Sequence, residues 1–172
     1  MDAAQRRQQI LELLKQSTTP VSAGKLAAEF HVSRQIIVGD IALLRAANEE
    51  ISATPRGYIM NRSTPTEGMI HTIACRHSRE NLGEELYTIV DSGCGVIDVI
   101  VEHPVYGQLS GQLQIYSRFD VDNFLDRLSK NHAAPLSNLT DGIHLHTVLC
   151  RSEQAYEIML DQLRKKNILF QK

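Results

Sequence analysis

The stretch Val32-Ser33-Arg34-Gln35-Ile36-Ile37-Val38-Gly39-Asp40-Ile41-Ala42-Leu43-Leu44-Arg45 decides how the first third of this chain folds. Ile36, Ile37, Ile41 and Leu44 recur close to the 3.6-residue period of a helix, and Ser33 is a residue type that caps helix starts. The spacing therefore predicts a helix from Ser33 to about Asn48 with that apolar stripe turned inward. Just upstream, Ser22 is placed to cap a shorter helix, Ala23 to Phe30, buried through Leu26, Ala27 and Phe30. His31-Val32 is the short turn between the two. Gln5 to Gln16 carries apolar residues at 10, 11, 13 and 14, an earlier helix whose following connection closes at Pro20. A short helix, a tight turn and a Ser-capped longer helix form the helix-turn-helix pattern, whose second helix lies in the DNA major groove. Downstream, Ile51 to Met60 reads as two short strands about a Pro55-Arg56-Gly57 turn, the form of a wing.

On the proposed reading helix, Ser33, Arg34, Gln35 and Val38 occupy the exposed N-terminal end. Arg34 offers a bidentate fork to guanine and Gln35 an amide pair to adenine. Arg45 and Arg56 are placed for phosphates, which fix position without reading sequence. The run from Val32 to Arg45 resembles the winged helix at the N-terminus of biotin-operon-type repressors.

The rest of the chain sets bounds on this reading. Of its 172 residues, 42% are hydrophobic and 22% charged, the balance of an ordinary globular protein. No apolar run approaches the roughly 20 residues that span a bilayer, and Met1 to Arg7 lacks the apolar centre of a signal peptide. A cytoplasmic protein without membrane contact is expected. Net charge is −2, but unevenly spread: residues 1–62 carry eight Lys/Arg against six Asp/Glu, and residues 63–172 ten against fourteen. The mild N-terminal excess permits DNA binding there. Cys75, Cys94 and Cys150 have no close spacing and read as reduced thiols, Cys75 and Cys150 as small buried hydrophobes.

Asn61 to Gly68 is polar and broken by Pro65 and Gly68. It divides a helix-turn-helix domain, residues 1–62, from a second domain, residues 63–172. In the second, strands are expected at Met69–Arg76, Gly95–Glu102, Gln108–Ile115 and Gly142–Cys150. Helices are expected to start at Ser78, Ser117 and Ser152, and Ile168-Leu169-Phe170 could close the sheet. Helices packed on one face of a small sheet make this an α+β domain, and the whole chain an α+β protein with an N-terminal winged helix.

Gly142-Ile143-His144-Leu145-His146-Thr147 puts two imidazoles on one face of a strand, because side chains alternate with a period of two. Paired imidazoles commonly share a proton, an anion or a metal. His77 ends the first strand of the domain and Glu85 lies inside the helix that follows. If that helix packs on the sheet, His77, Glu85, His144 and His146 meet. Three nitrogens and a carboxylate suit Zn, Ni, Fe or Co, and suit Ca or Mg poorly. Glu84 competes with Glu85, since adjacent helical residues point about 100° apart and one of them faces the cluster. His103, before the Pro104 turn, and Tyr106, able to stack on a planar ring, are candidates for an effector pocket.

A winged helix followed by Arg76-His77-Ser78, Glu85 and His144-Leu145-His146 resembles the bacterial repressors with a three-histidine (3H) domain. The best known of these are the NiaR family, nicotinate-responsive repressors of NAD biosynthesis and niacin uptake genes. The runs His71-Thr72-Ile73-Ala74-Cys75-Arg76-His77-Ser78 and His103-Pro104-Val105-Tyr106-Gly107 share in the resemblance, which spans essentially the whole chain. It implies that His77, His144 and His146 are the namesake histidines and Glu85 the fourth metal ligand. It also implies a homodimer on a double-stranded operator, with nicotinate as co-repressor, and no enzymatic activity. Two alternatives remain at this point: a metal-dependent hydrolase, since His-x-His strands also open such sites, and a repressor for which the metal itself or another effector is the signal. A bifunctional biotin-ligase-type repressor would need a Gly/Arg-rich adenylate loop, which does not occur between Asn61 and Lys172.

Overall fold

The computed structural model describes residues 2–61 and 68–171, in two compact units, Met1–Pro65 and Thr66–Lys172. The linker expected over Asn61 to Gly68 lies mostly outside the described residues. Among those described, no helix is long and apolar enough to cross a membrane.

In the first unit, helices α1 (Ala3–Gln16), α2 (Ala23–Glu29) and α3 (Arg34–Ala46) precede an antiparallel hairpin, β1 (Ile51–Thr54) and β2 (Gly57–Met60). Helix α1 begins two residues before the expected Gln5. Asp2 accepts the Gln5 N–H at 2.8 Å while the Gln5 side chain accepts the Asp2 N–H at 3.3 Å, a reciprocal cap. Ser22 and Ser33 cap as expected, accepting from the N–H groups of Lys25 and Ile36. Ile10, Leu14, Leu26, Ile37 and Ile41 form the centre of the core. Of the expected α3 stripe, Ile37, Ile41 and Leu44 are buried, but Ile36 is 42% exposed and Asp40 is buried in its place. The Asp40 carboxylate is held by Arg6 at 2.6 Å and Arg7 at 3.5 Å, both on α1, which supplies the pairing that a buried charge requires. Gly57 is fixed by the wing. Its φ is +138°, and a Cβ there would lie 2.4 Å from the Val21 carbonyl, because Val21 and Tyr58 exchange two backbone hydrogen bonds.

The second unit is an antiparallel sheet, β3 (Met69–Arg76), β4 (Cys94–His103), β5 (Gly107–Ile115) and β6 (Ile143–Cys150), in spatial order β3-β6-β4-β5. Helices α4 (Leu82–Asp91), α5 (Arg118–Lys130) and α6 (Glu153–Lys165) supply Leu82, Leu86, Ile89, Val121, Met159 and Leu163 to one core with Ile73, Val96, Leu113 and Val148. All of these strand residues lie on one face by the alternation of side chains. A single 3-10 turn, Arg79–Asn81, separates Ser78 from the α-helix that was expected to start there. Ile168 and Phe170 make two backbone hydrogen bonds to the outer edge of β3, a short bridge and not a full strand.

Two features had no counterpart in the sequence reading. A 3-10 segment, Leu136–Thr140, lies against β6 and β4. A β-bulge interrupts β4 between Val96 and Asp98, against both neighbouring strands. One expectation is overturned. Cys94 and Cys150 stand directly opposite in β4 and β6 and are joined as a disulfide, so they are not both reduced thiols. Local spacing could not show this, because 56 residues separate the pair and only the strand register brings them together.

Candidate metal centre

The ladder between β3 and β6 sets Cys75 opposite His144 and Ile73 opposite His146. Both histidines therefore face the helices, at 3% and 2% exposure. On α4, Leu82, Glu85, Leu86 and Ile89 form the buried stripe, and Glu85 is carried to the centre of the unit with no exposed surface. Glu84 points elsewhere and pairs with Lys166 at 3.0 Å. His77 arrives from the end of β3. Its approach depends on Gly142, whose φ is +85° and where a Cβ would meet the His77 carbonyl oxygen at 2.4 Å.

Glu85 is the hub of the cluster. His77 Nε2 lies 2.7 Å from one carboxylate oxygen, and His144 Nε2 lies 2.9 Å from the other. His146 Nε2 is 3.3 Å from that second oxygen, yet it is buried without a hydrogen-bond partner among the described residues. The rings meet edge to face: 4.9 Å between the centroids of His77 and His144, and 4.7 Å between those of His144 and His146. The far nitrogen of each ring is held by the backbone. Nδ1 donates to the carbonyl oxygen of Ser78 in His77, of Gly142 in His144 and of Asp98 in His146, all at 2.7–2.8 Å. The Asp98 carbonyl is available because it stands at the bulge; its side chain also accepts the Thr147 N–H at 3.0 Å.

A carbonyl can only accept, so each Nδ1 carries the proton and a neutral ring presents a lone pair at Nε2. To donate to Glu85 as well, a ring must take a second proton. Burial opposes charge on His77 and His146, but the Glu85 carboxylate outweighs it and holds both above the ordinary histidine range. Burial likewise works against the Glu85 charge, and the surrounding histidines overcome it, holding Glu85 well below the carboxylate range. The buried Cys75 thiol belongs to the same cluster, within 4.8 Å of Glu85 and His144 donor atoms; burial and Glu85 push it far up. Backbone-locked imidazoles with convergent lone pairs around a carboxylate are the donor arrangement of a transition-metal site. The donor set fits such an ion.

A cavity of about 170 Å³ opens against His144 and His146, walled by Leu82, Leu86, Val99, Phe124 and Leu136. On the other side, a polar cleft of about 520 Å³ is lined by Arg76, His77, Arg79 and Asn138. His103 and Tyr106, the sequence candidates for an effector pocket, do not line the apolar cavity. They stack loosely on each other at the β4–β5 turn, where Tyr106 is 75% exposed and His103 Nδ1 accepts the N–H groups of Val105 and Tyr106. The four expected ligands do come together; the cavity walls were not foreseen in the sequence.

Of the five residues expected to meet DNA, Ser33, Arg34 and Gln35 are exposed at the N-terminal end of α3, although the Ser33 hydroxyl is engaged as the cap. Arg45 is tied to the wing: its Nε donates to the Ile51 carbonyl at 2.8 Å and its guanidinium sits 6.0 Å over the Tyr58 ring. Arg56 is in the hairpin turn, its N–H donating to Thr54 Oγ1.

Comparison with known proteins agrees with this two-part build. The 3H domain model matches residues 70–172 and an HTH domain model matches residues 6–59. The chain is 42% identical over 168 residues to the transcription repressor NadR of Bacillus subtilis (strain 168), covering 96% of this chain and 93% of that one. It is 39% identical over 167 residues to the probable transcription repressor NiaR of Thermotoga maritima, covering 97% and 94%. With a helix-turn-helix unit joined to a buried three-histidine cluster, and with such similarity over nearly its full length, the chain belongs to the 3H-domain transcription repressors.

Proposed function

We propose that this chain represses genes of NAD biosynthesis or niacin uptake as a homodimer on a palindromic operator, with nicotinate as the co-repressor sensed beside a metal. The observation that carries the reading is the convergence of three Nε2 atoms and the Glu85 carboxylate at the wall of an apolar cavity. His77, Glu85, His144 and His146 would hold a divalent transition ion, Zn, Ni, Fe or Co, and when bound it would supply an electron-accepting position for a small anion. The chain's own groups do the rest. Leu86, Val99 and Phe124 exclude water and offer flat apolar walls to a pyridine ring, while the imidazole edges orient its polar end.

The same cavity argues for a sensor over a hydrolase. Apart from the two histidines its lining is apolar but for Ser137, so among the described residues no carboxylate lines it as the general acid or base that hydrolysis needs. The relatives, named as transcription repressors, support a regulator without turnover, acting in the cytoplasm where its operator lies. Arg34 and Gln35 would read base edges and Arg56 a phosphate, with half-site spacing set by the dimer. Nicotinate acts by binding the DNA-competent state more tightly than the alternative. Operator affinity of the metal-loaded protein, measured with and without saturating nicotinate, tests this. Tighter binding with nicotinate is expected; unchanged affinity would end the effector assignment.

A further inference from the structure

We propose that Cys75 is a sulfur donor of the metal centre, making its ligand set three nitrogens, one oxygen and one sulfur. The inference rests on the metal reading of the three histidines and extends it to a residue outside that set. Register places Cys75 opposite His144 on the helix-facing side of the sheet. Its Sγ, a Glu85 oxygen and a His144 nitrogen lie within 4.8 Å of one another, a separation that a single ion can bridge at ordinary metal–ligand lengths. Cys94 and Cys150 are joined to each other, which leaves Cys75 as the free cysteine among the described residues, fully buried.

One observation and the charge balance of the site direct it toward a cation. His146 is 2% exposed and its Nε2, aimed at Glu85, has no hydrogen-bond partner among the described residues. With neutral rings, a divalent ion and Glu85 alone would leave one net positive charge among buried side chains, which is costly. A Cys75 thiolate brings the loaded site to neutrality. Coordination replaces the S–H bond with an S–metal bond and releases the thiol proton to solvent; no electrons are transferred. A thiolate beside imidazoles also favours Zn, Co, Ni or Cu over Mg, Ca or Mn, a selectivity that the histidines and Glu85 enforce less strictly.

The test uses cobalt(II) as the probe on the full-length, chelator-treated protein, without added thiols. Wild type is expected to bind one equivalent and show a near-ultraviolet thiolate-to-cobalt charge-transfer band that excess magnesium does not remove. Cys75→Ala is expected to lose the band and bind cobalt more weakly, by at least the about 10–100-fold that loss of an outer partner costs. Cys75→Ser serves if the alanine variant fails a circular-dichroism check of its fold. Cobalt bound by wild type without the band, or a band that persists in Cys75→Ala, overturns the sulfur donor and leaves the histidine site standing. Failure of wild type to bind cobalt at all removes both.

Discussion

A Cβ on Gly142 would stand 2.4 Å from the carbonyl oxygen of His77. The absence of that carbon is what lets the β3 end and the start of β6 close around Glu85. Gly142→Ala should therefore push the His77 loop away and add backbone strain at a positive φ, about 1–2 kcal/mol. With the clash against the His77 backbone added, thermal melts should show a loss of at least that size, and a metal titration should show affinity lowered about 10–100-fold. Wild-type metal affinity in Gly142→Ala would contradict this account.

The two adjacent glutamates should separate cleanly. Glu84→Gln removes an exposed pair with Lys166, worth about 0–1 kcal/mol, and should leave metal content unchanged. Glu85→Gln removes the only carboxylate at the cluster among the described residues and should abolish stoichiometric metal. Elemental analysis of both purified variants decides it; equal metal in the two would be wrong for this structure.

Stability of the metal-free protein should pass through a maximum in mild acid. His77 and His146 are held above the histidine range. Their contribution is therefore complete below about pH 6.5 and is lost as pH rises through the raised values. Glu85 is held below the carboxylate range, so its contribution is complete above about pH 4.3 and is lost as pH falls. Melts with chelator should peak between these limits, and added zinc should extend stability to higher pH by replacing the ring protons. A metal-free melting temperature that climbs steadily above about pH 7 would contradict it.

Much of this was legible in the sequence. The Ser caps, the helical stripes and the His-x-His alternation are local patterns, and they placed α2, α3, β6 and the pair His144–His146. What could not be read depended on long-range pairing. Ile36 looked inward because nothing local shows Arg6 reaching Asp40 across 34 residues. The choice between Glu84 and Glu85 depends on the rotation of α4, set by the 3-10 turn that precedes it. His103 and Tyr106 looked like pocket residues from composition, but the hairpin carries them about 13 Å along β4 from Val99. The cavity wall at Leu136 comes from a segment with no periodicity to detect.

Two arginines of the first unit should differ in kind. Arg34→Ala should cost about 1–3 kcal/mol at the operator with little change in stability, if it makes a bidentate base contact. Arg45→Ala removes a hydrogen bond to Ile51 and the cover over Tyr58, so it should lower stability by about 1 kcal/mol. Paired melts and operator titrations separate the roles. An Arg45→Ala variant with wild-type stability and weakened operator binding would return Arg45 to the phosphate contacts.

Filling the cavity should silence the effector and spare the metal. Leu128→Trp adds a ring system into a space of about 170 Å³ from α5, which carries none of the four ligands. Nicotinate binding by calorimetry should fall about tenfold or more, the equivalent of about 1.4 kcal/mol, while metal content stays at wild type. Undiminished nicotinate binding would place the effector elsewhere.

The three imidazoles are all aimed by main-chain carbonyls, those of Ser78, Gly142 and Asp98. The aim is thus written in the path of the chain, through a bulge, a left-handed glycine and a strand end. Drift in the side chain at position 78 can accumulate without disturbing that aim, whereas the Asp98 side chain also ties the bulge to β6 through the Thr147 N–H. An insertion or deletion in β4 that erases the bulge would undo the aim at once, even with every histidine in place.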